Sequence, residues 1–111
     1  QLNFPTANIV LEDKLAPAFG VYAVTATVEQ ADGHAAFYKG VANIGKRPTV
    51  NDRGILAEAH LFDFDEDIYG RRLNLYVQHF IRPEQKFDEL EALTAQIGKD
   101  VTAAREILAS Y

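Results

Sequence analysis

The sequence predicts a mainly β fold, an antiparallel barrel with a C-terminal helix packed against it. Three observations predict it. Strand-forming residues, several in period-two alternation, fill a series of short segments up to Ile81. Turn residues separate those segments, with Asp32-Gly33 the strongest hairpin signal, because glycine accepts the positive φ of a tight turn. After Pro83 the apolar period becomes that of a helix. With 111 residues and 48% hydrophobic content, the chain suits a single domain over residues 1–111 with one packed core.

The first segment starts at Phe4-Pro5-Thr6-Ala7-Asn8, where Pro5 fixes its own φ and pushes Phe4 into an extended conformation. Asn8 to Leu11 continues it, and the polar stretch from Glu12 to Ala18, which carries Pro17, reads as a loop. Gly20 to Glu29 is a run of strand formers, Val21, Tyr22, Val24, Thr25, Thr27 and Val28. Ala35 to Ile44 is its hairpin return, in which Gly40 marks a bulge or a close backbone approach. Gly45 to Thr49 and Asn51 to Gly54 read as turns. Leu56 to Phe64 is the next strand, with Glu58, His60, Phe62 and Phe64 on one face and Ala57, Ala59, Leu61 and Asp63 on the other. A loop through Tyr69-Gly70-Arg71 leads to Leu73 to Ile81, where Leu73, Leu75, Val77, His79 and Ile81 share a face. Phe87, Leu90, Leu93, Thr94 and Ile97 then recur at helical spacing. Gly98 is read as an interruption, and Asp100 as the cap of a last helix with a stripe of Val101, Ala104, Ile107 and Leu108.

Composition narrows the function. Net charge is −5, from 11 Lys+Arg against 16 Asp+Glu, and no basic run interrupts it, so no nucleic-acid footprint is visible. An anionic ligand would have to be met by a metal ion or by local backbone dipoles. The absence of Cys excludes disulfides, thiolate metal sites and Cys nucleophiles. There is no apolar run of membrane-spanning length and no signal-peptide pattern, which gives a cytoplasmic expectation. Met is absent and the chain begins in mid-pattern, so it reads as a piece of a longer protein.

Several residues could carry chemistry. In an extended segment Thr6 and Asn8 point to the same side. They are either ordinary strand-edge polar residues or two neutral oxygen donors for a Mg²⁺ held mainly by nucleotide phosphates. Glu58 shares a face with Phe62 and Phe64. At the rim of the barrel interior it would lose hydration and become a better base; the alternative is a solvated face whose phenylalanines are covered by the helix. His60 either orients Glu58 or fills space. Arg82, where the last strand gives way to the helix, could lie flat against an aromatic ring system or pair with Glu84. Phe87 fits core between helix and barrel better than a ligand contact by its spacing, and the Asn43 to Thr49 loop could lend backbone groups to a ligand. The acidic residues Asp63, Asp65, Glu66 and Asp67 lack the spacing of a calcium loop and read as a solvated turn.

In order along the chain, Phe4-Pro5-Thr6-Ala7-Asn8, Gly20-Val21-Tyr22, Gly40-Val41-Ala42-Asn43-Ile44-Gly45 with Arg47-Pro48-Thr49, Glu58-Ala59-His60-Leu61, Asp67-Ile68-Tyr69-Gly70, and Arg82-Pro83-Glu84 with Lys86-Phe87 resemble riboflavin kinase. The likeness is strongest to the C-terminal kinase domain of bacterial bifunctional riboflavin kinase/FAD synthetase, and it covers nearly the whole chain. It implies a six-stranded antiparallel Greek-key barrel with a C-terminal helix. It implies transfer of the ATP γ-phosphoryl group to the ribityl 5′-hydroxyl of riboflavin, giving FMN and ADP. Under it Thr6 and Asn8 match the Mg²⁺–nucleotide residues, Glu58 the catalytic base, and Arg82 and Phe87 the region that closes over the flavin. It also implies an adenylyltransferase domain N-terminal to this chain, and a nucleotide-covering glycine loop upstream of Gln1. Asn3 stands where the family usually has a glycine, which changes backbone freedom there.

The competing reading is a barrel that binds flavin or a nucleotide without turning it over. A barrel for single-stranded nucleic acid is disfavoured by the acidic balance.

Overall fold

The computed structural model describes residues 18–46, 55–64 and 72–111, together with the backbone of residues 7–11. Five strands and one helix follow in order: β1 (Ala7–Leu11), β2 (Gly20–Glu29), β3 (Ala35–Lys46), β4 (Ile55–Leu61), β5 (Leu73–Pro83) and α1 (Leu90–Ile107). The strands form one antiparallel sheet in the order β1-β4-β3-β2-β5. The expected barrel needed a sixth strand and a closed edge. Among the described residues the sheet has five strands and is open, with β1 and β5 at its edges.

The β2–β3 hairpin forms where Asp32-Gly33 predicts it. Gly33 has φ 90°, its N–H donates to the Gln30 carbonyl at 3.0 Å, and Gln30 N–H donates to the His34 carbonyl at 2.7 Å. Asp32 Oδ1 accepts the His34 backbone N–H at 3.0 Å, and that bond holds its carboxyl below the usual carboxylate range.

β2 is buried on both faces, which is why it reads as a nearly continuous apolar run. On one face Tyr22 and Val24 pack with Ala42, Ile44, Ile55, Ala57 and Ala59. On the other, Val21 and Ala23 pack with Val41, Phe62 and the α1-side residues Ala104 and Leu108. Gly40 lies in β3 without a register shift, and a Cβ there would run into the His60 carbonyl oxygen, so the glycine serves a close strand approach.

Three boundaries differ from expectation. β3 runs on to Lys46, because its pairing with β4 continues to Lys46 opposite Ile55. β4 stops at Leu61 instead of Phe64. Asp63 turns the chain with φ 60°, Phe62 N–H donates to the Lys39 carbonyl at 2.7 Å, and Phe62 folds into the core under α1. The helix is continuous through Gly98, so Asp100 lies well inside it and caps nothing. A mid-helix glycine costs about 1 kcal/mol, less than the burial of Ala104 and Leu108 against the sheet supplies.

β5 departs from simple alternation. Its register against β2 shifts between Ala23 and Val24 and again between Val21 and Tyr22. Val77 stands opposite Val24, His79 opposite Ala23, Phe80 opposite Tyr22 and Arg82 opposite Val21. An unshifted register would set Phe80 against Val21. The Leu73 to Ile81 face predicted from alternation therefore holds only to Val77.

Candidate functional site

The strand register builds the site. Asn8 pairs with Glu58, Glu58 with Asn43, Asn43 with Val21, and Val21 with Arg82. These five residues form one transverse row across all five strands. Neighbouring strands lie about 4.8 Å apart, so Glu58 and Arg82, three strands apart, are separated by roughly 14 Å along the sheet. Arg82 reaches the row only because β5 carries its two register shifts. Gly20 makes room for them: a Cβ there would meet the Arg82 carbonyl oxygen and come within 2.7 Å of the Phe80 ring.

Above this row lies a cavity of about 270 Å³, between the sheet and α1. Its floor is Val21, Val41, Asn43, Glu58 and His60. Arg82, Gln85 and Phe87 close one side, and Leu93, Ile97 and Asp100 of α1 form the roof. The roof residues follow from helical spacing, since positions 93, 97 and 100 fall on one face. The volume is near the lower end for small-ligand cavities, about 300 Å³, and apolar walls with a few polar groups are the usual lining of such a site.

Glu58 is exposed, whereas Ala57 and Ala59 on either side of it are buried. It therefore sits on the α1-facing side of the sheet, away from the apolar interior formed by Ile55, Ala57 and Ala59. This corrects the interior-rim placement. The alternative holds in part: the face is solvated at Glu58, and Phe62 is covered by the helix. His60 is half-buried, with its ring edge-on to Phe62 at 5.7 Å between centroids.

Arg82 is held on three sides. Its Nε donates to Asp100 Oδ1 and its Nη2 to Asp100 Oδ2, both at 2.9 Å, and its Nη1 donates to the Pro83 carbonyl at 3.1 Å. Gln96 Nε2 adds a further bond to Asp100 Oδ1 at 3.1 Å. The Phe87 ring lies 5.9 Å from the guanidinium, at the outer limit of a cation–π contact, so the two-pronged carboxylate pair decides where Arg82 sits. The partner weighed from sequence, Glu84, points elsewhere, with its carboxylate against Gly45.

The structure thus brings Glu58, Arg82 and Phe87 to one cavity and puts Asn8 in register with Glu58. Thr6 lies outside the described residues. Phe87 precedes α1 and lines the cavity as well as flanking the helix. Asn43 belongs to β3, not to a loop, and lines the floor. Asp63 lies in an exposed turn, with one carboxylate oxygen 3.7 Å from Arg105, and residues 65–67 are outside the described residues. Gln96, and Asp100 as the partner of Arg82 instead of a helix cap, escaped sequence reasoning. Their signal was present, because Asp100 interrupts the apolar stripe Leu93, Ile97, Ala104, Leu108, and a carboxylate in a buried stripe requires a buried partner.

Among the described residues no group of three or more His, Cys, Asp or Glu could hold a metal ion, and no helix is long and apolar enough to cross a membrane.

The model of the flavokinase family, riboflavin kinase, matches residues 1–108. A bifunctional riboflavin kinase/FMN adenylyltransferase of Pseudomonas fluorescens is 46% identical over 110 residues, covering 98% of this chain and 34% of that protein. Its Haemophilus influenzae counterpart is 44% identical over 104 residues, covering 94% of this chain and 32% of that one. An RNA-binding riboflavin kinase of Bacillus subtilis is 43% identical, covering 92% and 42%. A solved structure, described as a macrolide-efflux protein from Streptococcus pneumoniae, superposes with a TM-score of 0.70 at 37% identity, covering 92% of this chain and 32% of that one. The chain spans about a third of the length of the bifunctional relatives.

Proposed function

The chain belongs to the riboflavin kinase family, and from that premise we propose that it transfers the γ-phosphoryl group of ATP to the ribityl 5′-hydroxyl of riboflavin, giving FMN and ADP. The observation that carries this reading is the common row and cavity shared by Glu58 and Arg82, with Asn8 in register beside the acid.

The flavin ring lies against the apolar walls and the Arg82–Phe87 side, and the ribityl chain runs along the row toward Glu58. The 5′-oxygen attacks the γ-phosphorus, the bond to the bridging oxygen of ADP breaks, and the hydroxyl proton passes to a Glu58 carboxylate oxygen. Because Glu58 is exposed, its effect comes from orientation and proximity to the hydroxyl and not from a buried, dehydrated setting. Thr6 and Asn8 offer neutral oxygens to a nucleotide-bound Mg²⁺, which suits a cation whose charge is balanced by phosphates. When bound, that ion supplies charge neutralisation at the transferring group.

The six-stranded closed barrel belongs to the same reading, because it would give the β1 and β5 edges partners. So do an adenylyltransferase domain preceding this chain in a longer protein, and a cytoplasmic location.

The test is direct: riboflavin, ATP and Mg²⁺ are incubated with the protein and FMN is measured. Flavin binding without FMN formation would favour the non-catalytic module instead.

A further inference from the structure

We propose that Asp100 is a positioning residue for the flavin site, fixing the Arg82 guanidinium as one wall of the cavity. The proposal rests on the riboflavin kinase reading and adds to it a residue on a different element.

The geometry is specific. Asp100 is 4% exposed, so both its oxygens are withdrawn from water, and the two bonds from Arg82 plus one from Gln96 satisfy them. Arg82 has five N–H donors; its pair with Asp100 and its bond to the Pro83 carbonyl engage three, leaving one on each terminal nitrogen for a ligand. A planar fork held at two points cannot swing, unlike a side chain on a free stem. The pair is neutral as a unit, so this wall suits an uncharged planar ring with hydrogen-bond acceptors. Asp100 also lines the cavity itself, although its oxygens are turned to Arg82. The helix carries the acid and β5 carries the base, so the pair ties the roof of the cavity to its side.

Three variants test this in the full protein: Asp100→Asn, Arg82→Gln and the double variant. Michaelis constants are measured for riboflavin and for ATP, alongside melting temperatures. Asp100→Asn should raise the riboflavin KM by roughly 10- to 100-fold, the scale of a misplaced binding group, while the ATP KM stays unchanged. In the Arg82→Gln background the same substitution should cost nothing further, since Asp100 acts through Arg82. The proposal is overturned by an unchanged riboflavin KM in Asp100→Asn, by an equal penalty in both backgrounds, or by a parallel loss for both substrates that tracks the melting temperature. Where Asp100→Asn alone does not fold, the comparison of Arg82→Gln with the double variant decides: equal riboflavin KM supports the proposal and a further loss overturns it. FMN formation by the unaltered protein tests the underlying reading separately.

Discussion

Glu58 and Arg82 occupy the same transverse row of the sheet, three strands apart, although their strands follow different rules. Glu58 arrives by plain alternation in β4, whereas Arg82 arrives because β5 gains two residues against β2. The row gives the cavity a length, with the acid at one end and the guanidinium at the other. On the proposed reading, a flavin whose ring system meets Arg82 would extend its sugar-like chain toward the carboxylate.

Glu58 sets the first prediction. On the proposed reading, Glu58→Gln keeps the shape and removes the proton acceptor. Turnover should fall by roughly 10²–10⁴-fold, the usual general-base contribution, with riboflavin still bound. FMN formation and flavin fluorescence measure the two quantities separately. Near-normal turnover would remove Glu58 from the chemistry.

Asn8 and Thr6 set the second. On the proposed reading their oxygens serve the nucleotide end, so Asn8→Ala or Thr6→Ala should weaken Mg²⁺–ATP binding far more than binding of riboflavin alone. Titrating each ligand separately checks this. Equal weakening of both would mean a general disturbance of β1 and β4, the pair in which Asn8 meets Glu58.

The β-rich architecture was legible wherever a single physical rule governed a segment. β2 appears at its expected residues because strand formers fill it and Gly33 ends it. Glu58 was legible as an anomaly in β4, but its face was not. Two alanines look no more apolar than a His and two phenylalanines, so alternation alone could not choose the buried side. The structure buries the alanines, which pack with Tyr22, Val24, Ala42, Ile44 and Ile55. That Arg82 joins the row and lines the cavity was not legible from alternation, since the register shifts accompany packing against Gly20 and Tyr22. Gly98 misled because propensity is a weak force. Packing of Ala104 and Leu108 carries the helix through it, and Asp100 becomes an interior partner instead of a cap.

Gly20 yields a third prediction. A side chain there would press on the Arg82 carbonyl and the Phe80 ring, so β5 must move. Gly20→Ala should destabilise the protein by about 1–3 kcal/mol, the usual cost of overpacking, and raise the riboflavin KM by displacing Arg82. Denaturant unfolding and riboflavin kinetics check the two parts. Full stability with normal kinetics would show that β5 does not depend on this contact.

Gly98 gives the opposite sign. It lies mid-helix, and a Cβ built on it meets no atom within 4 Å beyond its chain neighbours and the adjacent helix backbone. Alanine there removes backbone freedom from the unfolded chain and creates no clash. Gly98→Ala should therefore stabilise the fold by about 1 kcal/mol, which for a domain of this size raises the melting temperature by roughly 4 °C. Gly98 lies outside the cavity lining, so riboflavin and ATP kinetics should match those of the unaltered protein. A lower melting temperature would mean that the glycine relieves helix strain at the turn whose carbonyl accepts the Thr102 hydroxyl, and α1 would then be two segments bent at this point.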